Sequence, residues 1–147
     1  MNLGIYLSSL SQQNQLQQIS EAINNGIAAK KLNDASIFYD NIAYNPHDIK
    51  CGIFNSTDLW NFSGTLITTS LSTTISAIKI VNSIDIYYYY GFEDKISPLP
   101  LINIINKGGV KFIAKTNNDN QDLYRKTRTG ALYICDNFTD FIDRVTS

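Results

Sequence analysis

Thr65-Leu66-Ile67-Thr68-Thr69, Ile84 to Tyr90, Val110 to Ala114 and Ala131-Leu132-Tyr133-Ile134-Cys135 are short apolar runs, and what separates them decides the fold. After the first run, Leu71, Ile75, Ile78 and Val81 fall three or four apart, which predicts one face of a helix over 71–82. After the second, Pro98 and Pro100 open a helix bearing Leu101, Ile102 and Ile105, and Gly108 or Gly109 closes it. A short helix over 120–127, closed near Gly130, precedes the fourth run. Asn137 then caps a last helix bearing Phe138, Phe141, Ile142 and Val145, with Asp140 where the helix dipole favours an acid. Strands this apolar on both faces need helices on both sides. Their strict alternation with helices predicts a parallel sheet with right-handed crossovers.

The N-terminal part extends the same pattern. Leu3 to Ser8 reads as a first strand, followed by a helix with Leu16, Ile19, Ile23 and Ile27 on one face and Ser11 as its cap. Ala35 to Tyr39 is a second strand, Asp40 to Lys50 a polar connection, and Cys51 to Phe54 a third strand. Asn55 to Gly64 reads as a loop. The expectation is one three-layer α/β domain with a mostly parallel sheet of about six or seven strands. Neither a linker nor an internal repeat divides residues 1–147.

Composition narrows the function classes. A net charge of -1 argues against a nucleic-acid binder, which needs a concentrated basic face. Lys107, Lys111, Lys115, Arg125, Lys126 and Arg128 do gather late in the chain, but Asp119 and Asp122 interrupt them, so an ordinary solvated face is expected. No apolar run approaches the length that spans a bilayer, and Met1 to Leu7 lacks a basic start, so neither a membrane span nor a signal peptide is expected. The expected address is cytoplasmic. There Cys51 and Cys135 read as buried thiols, and the N-x-S/T triplets at Asn55, Asn61 and Asn137 carry no meaning.

In an open parallel sheet, ligands bind beyond the carboxyl ends of the strands, where the strand order reverses. The residues expected there are Ser8 and Ser9 after the first strand, Asn55, Thr57 and Asp58 after the third, and Thr68, Thr69 and Ser70 after the fourth. Glu93 follows the fifth strand, and Thr116 and Asn117 the sixth. Hydroxyls, amides and helix N-termini on one rim can hold a phosphate, a carboxylate or a sugar. The same residue types also serve simply as caps and turn formers.

Several other chemistries drop out. The first strand-to-helix turn has no G-x-G-x-x-G, and Lys107-Gly108-Gly109-Val110 precedes a strand rather than a helix, so it is a helix stop. One His, His47, and two distant Cys cannot supply a zinc site, and no cofactor is called for. Trp60, among Asp58, Asn61 and Phe62, reads as part of a loop anchored to the core by its aromatics. The functional reading makes it a platform for a sugar or base, with Asp58 accepting hydroxyl hydrogen bonds. Tyr87 to Tyr90 is a strand with two tyrosines facing each way and at least one pair buried.

Phe54 to Trp60, Gly64 to Thr69 and Tyr88 to Glu93, with Lys115-Thr116-Asn117 and Asp122-Leu123-Tyr124, resemble in layout the N-terminal Rossmann-like half of GT-B glycosyltransferases. The resemblance spans most of the chain and contains no exclusive motif. It implies a sugar- or nucleotide-type ligand. It also implies a limit, because the half that mainly holds the donor in that family is missing, and Ser8-Ser9 stands where a glycine-rich turn is common. The resulting expectation is a small-ligand binding domain without a complete catalytic constellation. The alternative is an interaction subunit or homo-oligomer that buries an exposed Tyr strand and the aromatic loop. A third reading, a transferase or hydrolase using Asp58 or Glu93 as general base, has no paired spacing behind it.

Overall fold

A computed structural model describes residues 2–9, 13–41, 52–80, 83–93 and 96–146. The expectations for Ser11, His47, Cys51 and Val81, and for 42–50 of the polar connection, lie outside the described residues. The chain runs β1 (Asn2–Ser9), α1 (Gln13–Ala28), β2 (Asp34–Asn41) and β3 (Gly52–Asn55), then a 3₁₀ helix (Ser56–Asn61). It continues through β4 (Gly64–Thr68), α2 (Leu71–Ile78), β5 (Ile84–Tyr90), α3 (Pro98–Lys107) and β6 (Val110–Ala114). The last elements are α4 (Asn117–Thr127), β7 (Tyr133–Ile134) and α5 (Phe138–Thr146).

All the paired strands are parallel and form one seven-stranded sheet in the order β3-β2-β1-β4-β5-β6-β7, a three-layer Rossmann-like arrangement. Right-handed crossovers explain the layers. From β1 the chain steps to β2 through α1; from β4 it steps the opposite way, through α2, α3 and α4. Those helices therefore lie on the other face. α1 and the returning α5 share one face, where Ile19, Ile23, Phe138, Phe141 and Ile142 pack on Leu3, Ile5, Ile37, Ile67 and Tyr89. Leu101, Ile104 and Leu123 cover the opposite face beside Tyr88 and Phe112, and the 3₁₀ helix seats Leu59 against Tyr6, Phe38 and Leu66.

Four sequence expectations change. The loop after β3 is a 3₁₀ helix, capped by Asn55, whose Oδ1 accepts from the Thr57 N–H at 3.1 Å. Of its two aromatics Phe62 packs on the core as expected, whereas Trp60 is 53% exposed and Leu59, at 2%, is the deepest anchor. The tyrosine strand is not an exposed surface for assembly, because β5 lies between β4 and β6 and Tyr88, Tyr89 and Tyr90 are buried. The last strand shrinks to Tyr133–Ile134, since only these two pair with β6. The Asn137 cap holds, its Oδ1 accepting from the Asp140 N–H at 2.8 Å. Cys135 is a buried thiol as expected, and burial pushes its pKa up to about 11. Among the described residues no helix is long and apolar enough to cross a membrane.

Candidate functional site

The strand order reverses between β1 and β4, so the switch point lies beyond Ser9 and Thr68. Ser8 and Ser9 close β1 on one side of it. Thr69 and Ser70, both buried, lead into α2 on the other. Farther along the same edge, Glu93 follows β5, the next strand after β4, and Thr116 and Asn117 follow β6, two strands away. Most of the rim residues read from the sequence therefore do gather along one edge.

Most of their polar atoms bond one another. The Ser70 Oγ accepts from the Thr73 N–H at 3.2 Å, and the Ser70 N–H donates to Thr73 Oγ1 at 3.3 Å, a reciprocal capping box. Thr74 Oγ1 donates to the Ser70 carbonyl at 2.7 Å and lies 2.6 Å from Thr68 Oγ1. Thr116 caps α4, accepting from the Asp119 N–H at 3.2 Å. Asn55 is likewise spent on the 3₁₀ helix. These hydroxyls build the rim and have little left over for a ligand.

Glu93 has a specific task. Its Oε2 accepts from the Leu71 N–H at 3.0 Å, so a carboxylate of the protein sits at the α2 N-terminus, where an anionic ligand would otherwise be favoured. The Tyr88 hydroxyl also donates to it, at 3.4 Å. Burial, and then the nearby Glu93, raises the Tyr88 pKa and keeps that donor protonated. Gly91 makes the turn between them: its φ of 129° is open to glycine, and a Cβ there would meet Asp119 Oδ2 at 2.7 Å.

One grouping escaped the sequence reading. The Tyr6 hydroxyl donates to Asp40 Oδ1 at 2.6 Å, joining β1 to the end of β2 beside the switch point. Burial first, then the hydrogen bond and charge of Asp40, push the Tyr6 hydroxyl up to about 12, against the Ser56 and Ser76 side chains. Asp40 is exposed. Dinucleotide-binding Rossmann domains use an acid about 20 residues past their glycine-rich turn for a ribose hydroxyl, but that turn is absent from this sequence. The clue was present, an acid closing the run Ala35 to Tyr39, but Asp40 reads equally well as the first residue of the polar connection.

Asp58 leaves the rim altogether. The 3₁₀ helix carries the chain back from the β3 end to the β4 start, so Asp58 faces a cavity with Asn2, Asp34 and Ser63 at the opposite edge of the sheet. Asp58 and Glu93 therefore cannot act on one substrate as paired acids. Another cluster, Tyr90, Asp122 and Lys126, is internally complete. Lys126 Nζ lies 2.9 Å from Asp122 Oδ2 and 3.1 Å from the Tyr90 hydroxyl, which donates to Asp122. The Tyr90 hydrogen bond and Lys126 lower the Asp122 pKa. Compared with protein-family models, with curated proteins and with solved structures, the chain matches none, so its function must be read from the site itself.

Proposed function

We propose that the chain is a binding domain for a sugar- or nucleoside-type ligand, seated at the carboxyl edge between β1 and β4. The observation that carries this reading is the Tyr6–Asp40 pair beside the switch point, a carboxylate oriented by a buried hydroxyl yet open to solvent. Asp40 is the acceptor for vicinal hydroxyls, and Ser8 supplies a hydroxyl on the adjoining strand. The role is binding rather than catalysis, because Glu93 is committed to the α2 N-terminus and Asp58 lies at the far edge. The resemblance to a GT-B half fits a domain that holds one reactant while another chain supplies the rest.

A thermal-shift screen with nucleosides, nucleotides, sugar nucleotides and free sugars tests this. A compound at 100 times its dissociation constant adds about 2.7 kcal/mol, which moves the midpoint by several degrees in a domain of this size. Asp40→Ala is expected to abolish that shift, measured from the variant's own unliganded midpoint, which loss of the Tyr6 hydroxyl's acceptor lowers. A full shift retained in Asp40→Ala, or no shift with any compound, would sink the reading.

A further inference from the structure

The other edge of the sheet holds a concavity that this function does not use. Strand register carves it. On the face covered by the 3₁₀ helix, Gly52, Ser36 and Gly4 stand side by side on β3, β2 and β1, a row almost without side chains. The next row toward the carboxyl edge is Phe54, Phe38 and Tyr6, which closes the notch from behind. Phe62 leans over Gly4, where an added Cβ would meet its ring at 2.9 Å, and Phe54 leans back over Gly52. The Phe38 ring centroid lies 6.0 Å from that of Phe54 and 5.4 Å from that of Phe62, so the three phenyls form a continuous wall. The result is a cavity of about 420 Å³ beneath the 3₁₀ helix.

Among the described residues its mouth is polar. Asn2 and Asp34, paired across β1 and β2, form one lip, and Asp58, Asn61 and Ser63 form the other. Asp34 Oδ1 accepts from the Ala35 N–H, and neither Asp34 nor Asp58 has an ion pair among the described residues. The described lining contains no Lys or Arg. Among the described residues these two carboxylates have no cation beside them, and in that setting they repel phosphates and other anions. Amides and hydroxyls that both donate and accept, beside carboxylates that accept, match a ligand whose own groups do both. An apolar wall with a few converging polar groups is the usual make-up of a small-molecule site.

We propose that this cavity binds a neutral saccharide, one sugar ring lying against the Phe38–Phe54–Phe62 wall with its hydroxyls on Asp34, Asp58 and Asn61. This site is separate from the one at Asp40. Trp60, the single tryptophan, lies between Asp58 and Asn61 and is 53% exposed, so its fluorescence reports on the lip.

The test is titration with neutral mono- and disaccharides (glucose, galactose, N-acetylglucosamine, maltose, cellobiose), followed by Trp60 fluorescence and saturation-transfer NMR. Glucose 6-phosphate and tetramethylammonium serve as the charged comparisons. At the efficiency usual for small ligands, at least one sugar is expected to saturate with a dissociation constant of about 1 mM. Asp58→Ala and Asn61→Ala, both at exposed positions, are each expected to weaken it about tenfold or more, and Asp40→Ala to leave it unchanged. Ser36→Leu, which fills the notch, is expected to abolish binding; should that chain fail to fold, the two lip variants still decide. The proposal is overturned if no neutral sugar saturates by about 50 mM. It is equally overturned if binding survives both lip variants, or if only a charged compound binds.

Discussion

Ser70 and Asp58 are both polar residues beside a concave surface, yet they are used in opposite ways. Ser70, at the carboxyl edge, is buried, and its side-chain and backbone groups bond Thr73 and Thr74. Asp58, at the strand-start edge, is exposed and faces a cavity, with no ion pair among the described residues. Between the two edges runs a row of side chains in register across one face of the sheet, five aromatics and Thr68: Phe54, Phe38, Tyr6, Thr68, Tyr88 and Phe112. The row is apolar apart from its hydroxyls, and it keeps the two polar ends apart. Polar residues that look alike in sequence as rim candidates thus divide into those that hold the fold and those that face open space. Only the latter can be given up to a ligand without weakening the protein.

The difference can be broken from the strand-start side first. Leu59→Ala removes the anchor of the 3₁₀ helix and should cost about 2–5 kcal/mol, the largest effect expected here. Urea unfolding would measure it. Sugar binding should vanish while any ligand response at Asp40 persists, and loss of both would mean that the edges are not independent. On the carboxyl side, Thr74→Val leaves the Ser70 carbonyl and Thr68 Oγ1 without their short hydroxyl partner. It should cost about 1–3 kcal/mol, although Thr74 is assigned no ligand contact. A cost under about 0.5 kcal/mol would show that the hydroxyl network is dispensable.

Glu93→Ala sharpens the comparison with the smallest stability change. Losing a carboxylate at the α2 N-terminus should cost about 0.3–1 kcal/mol. It should also free that terminus for an external anion, so that inorganic phosphate raises the thermal midpoint of the variant more than that of the parent chain. Equal responses would mean that Glu93 does not occupy an anion position.

The fold was largely legible because hydrophobic periodicity and helix-stop residues are local signals. Pro98 and Gly108 bound α3 as the sequence predicts, and Asn137 caps α5. The rim was legible as a list of residues but not as a site. Capping and ligand binding call for the same side chains, and sequence cannot say which hydroxyl is already bonded. Asp40 was missed because its value depends on Tyr6, which is 34 residues away in the chain.

Residue order alone determined that strands alternate with helices, that one sheet runs in parallel, and that polar turn residues follow its strands. Those features depend on neighbours within a few positions. Tertiary structure alone decided that Glu93 would serve α2 and that Asp58 would be carried to the far edge. It also set Gly4, Ser36 and Gly52 side by side over three phenyl rings. Each depends on strand register and crossover path, which bring together residues that no local pattern connects.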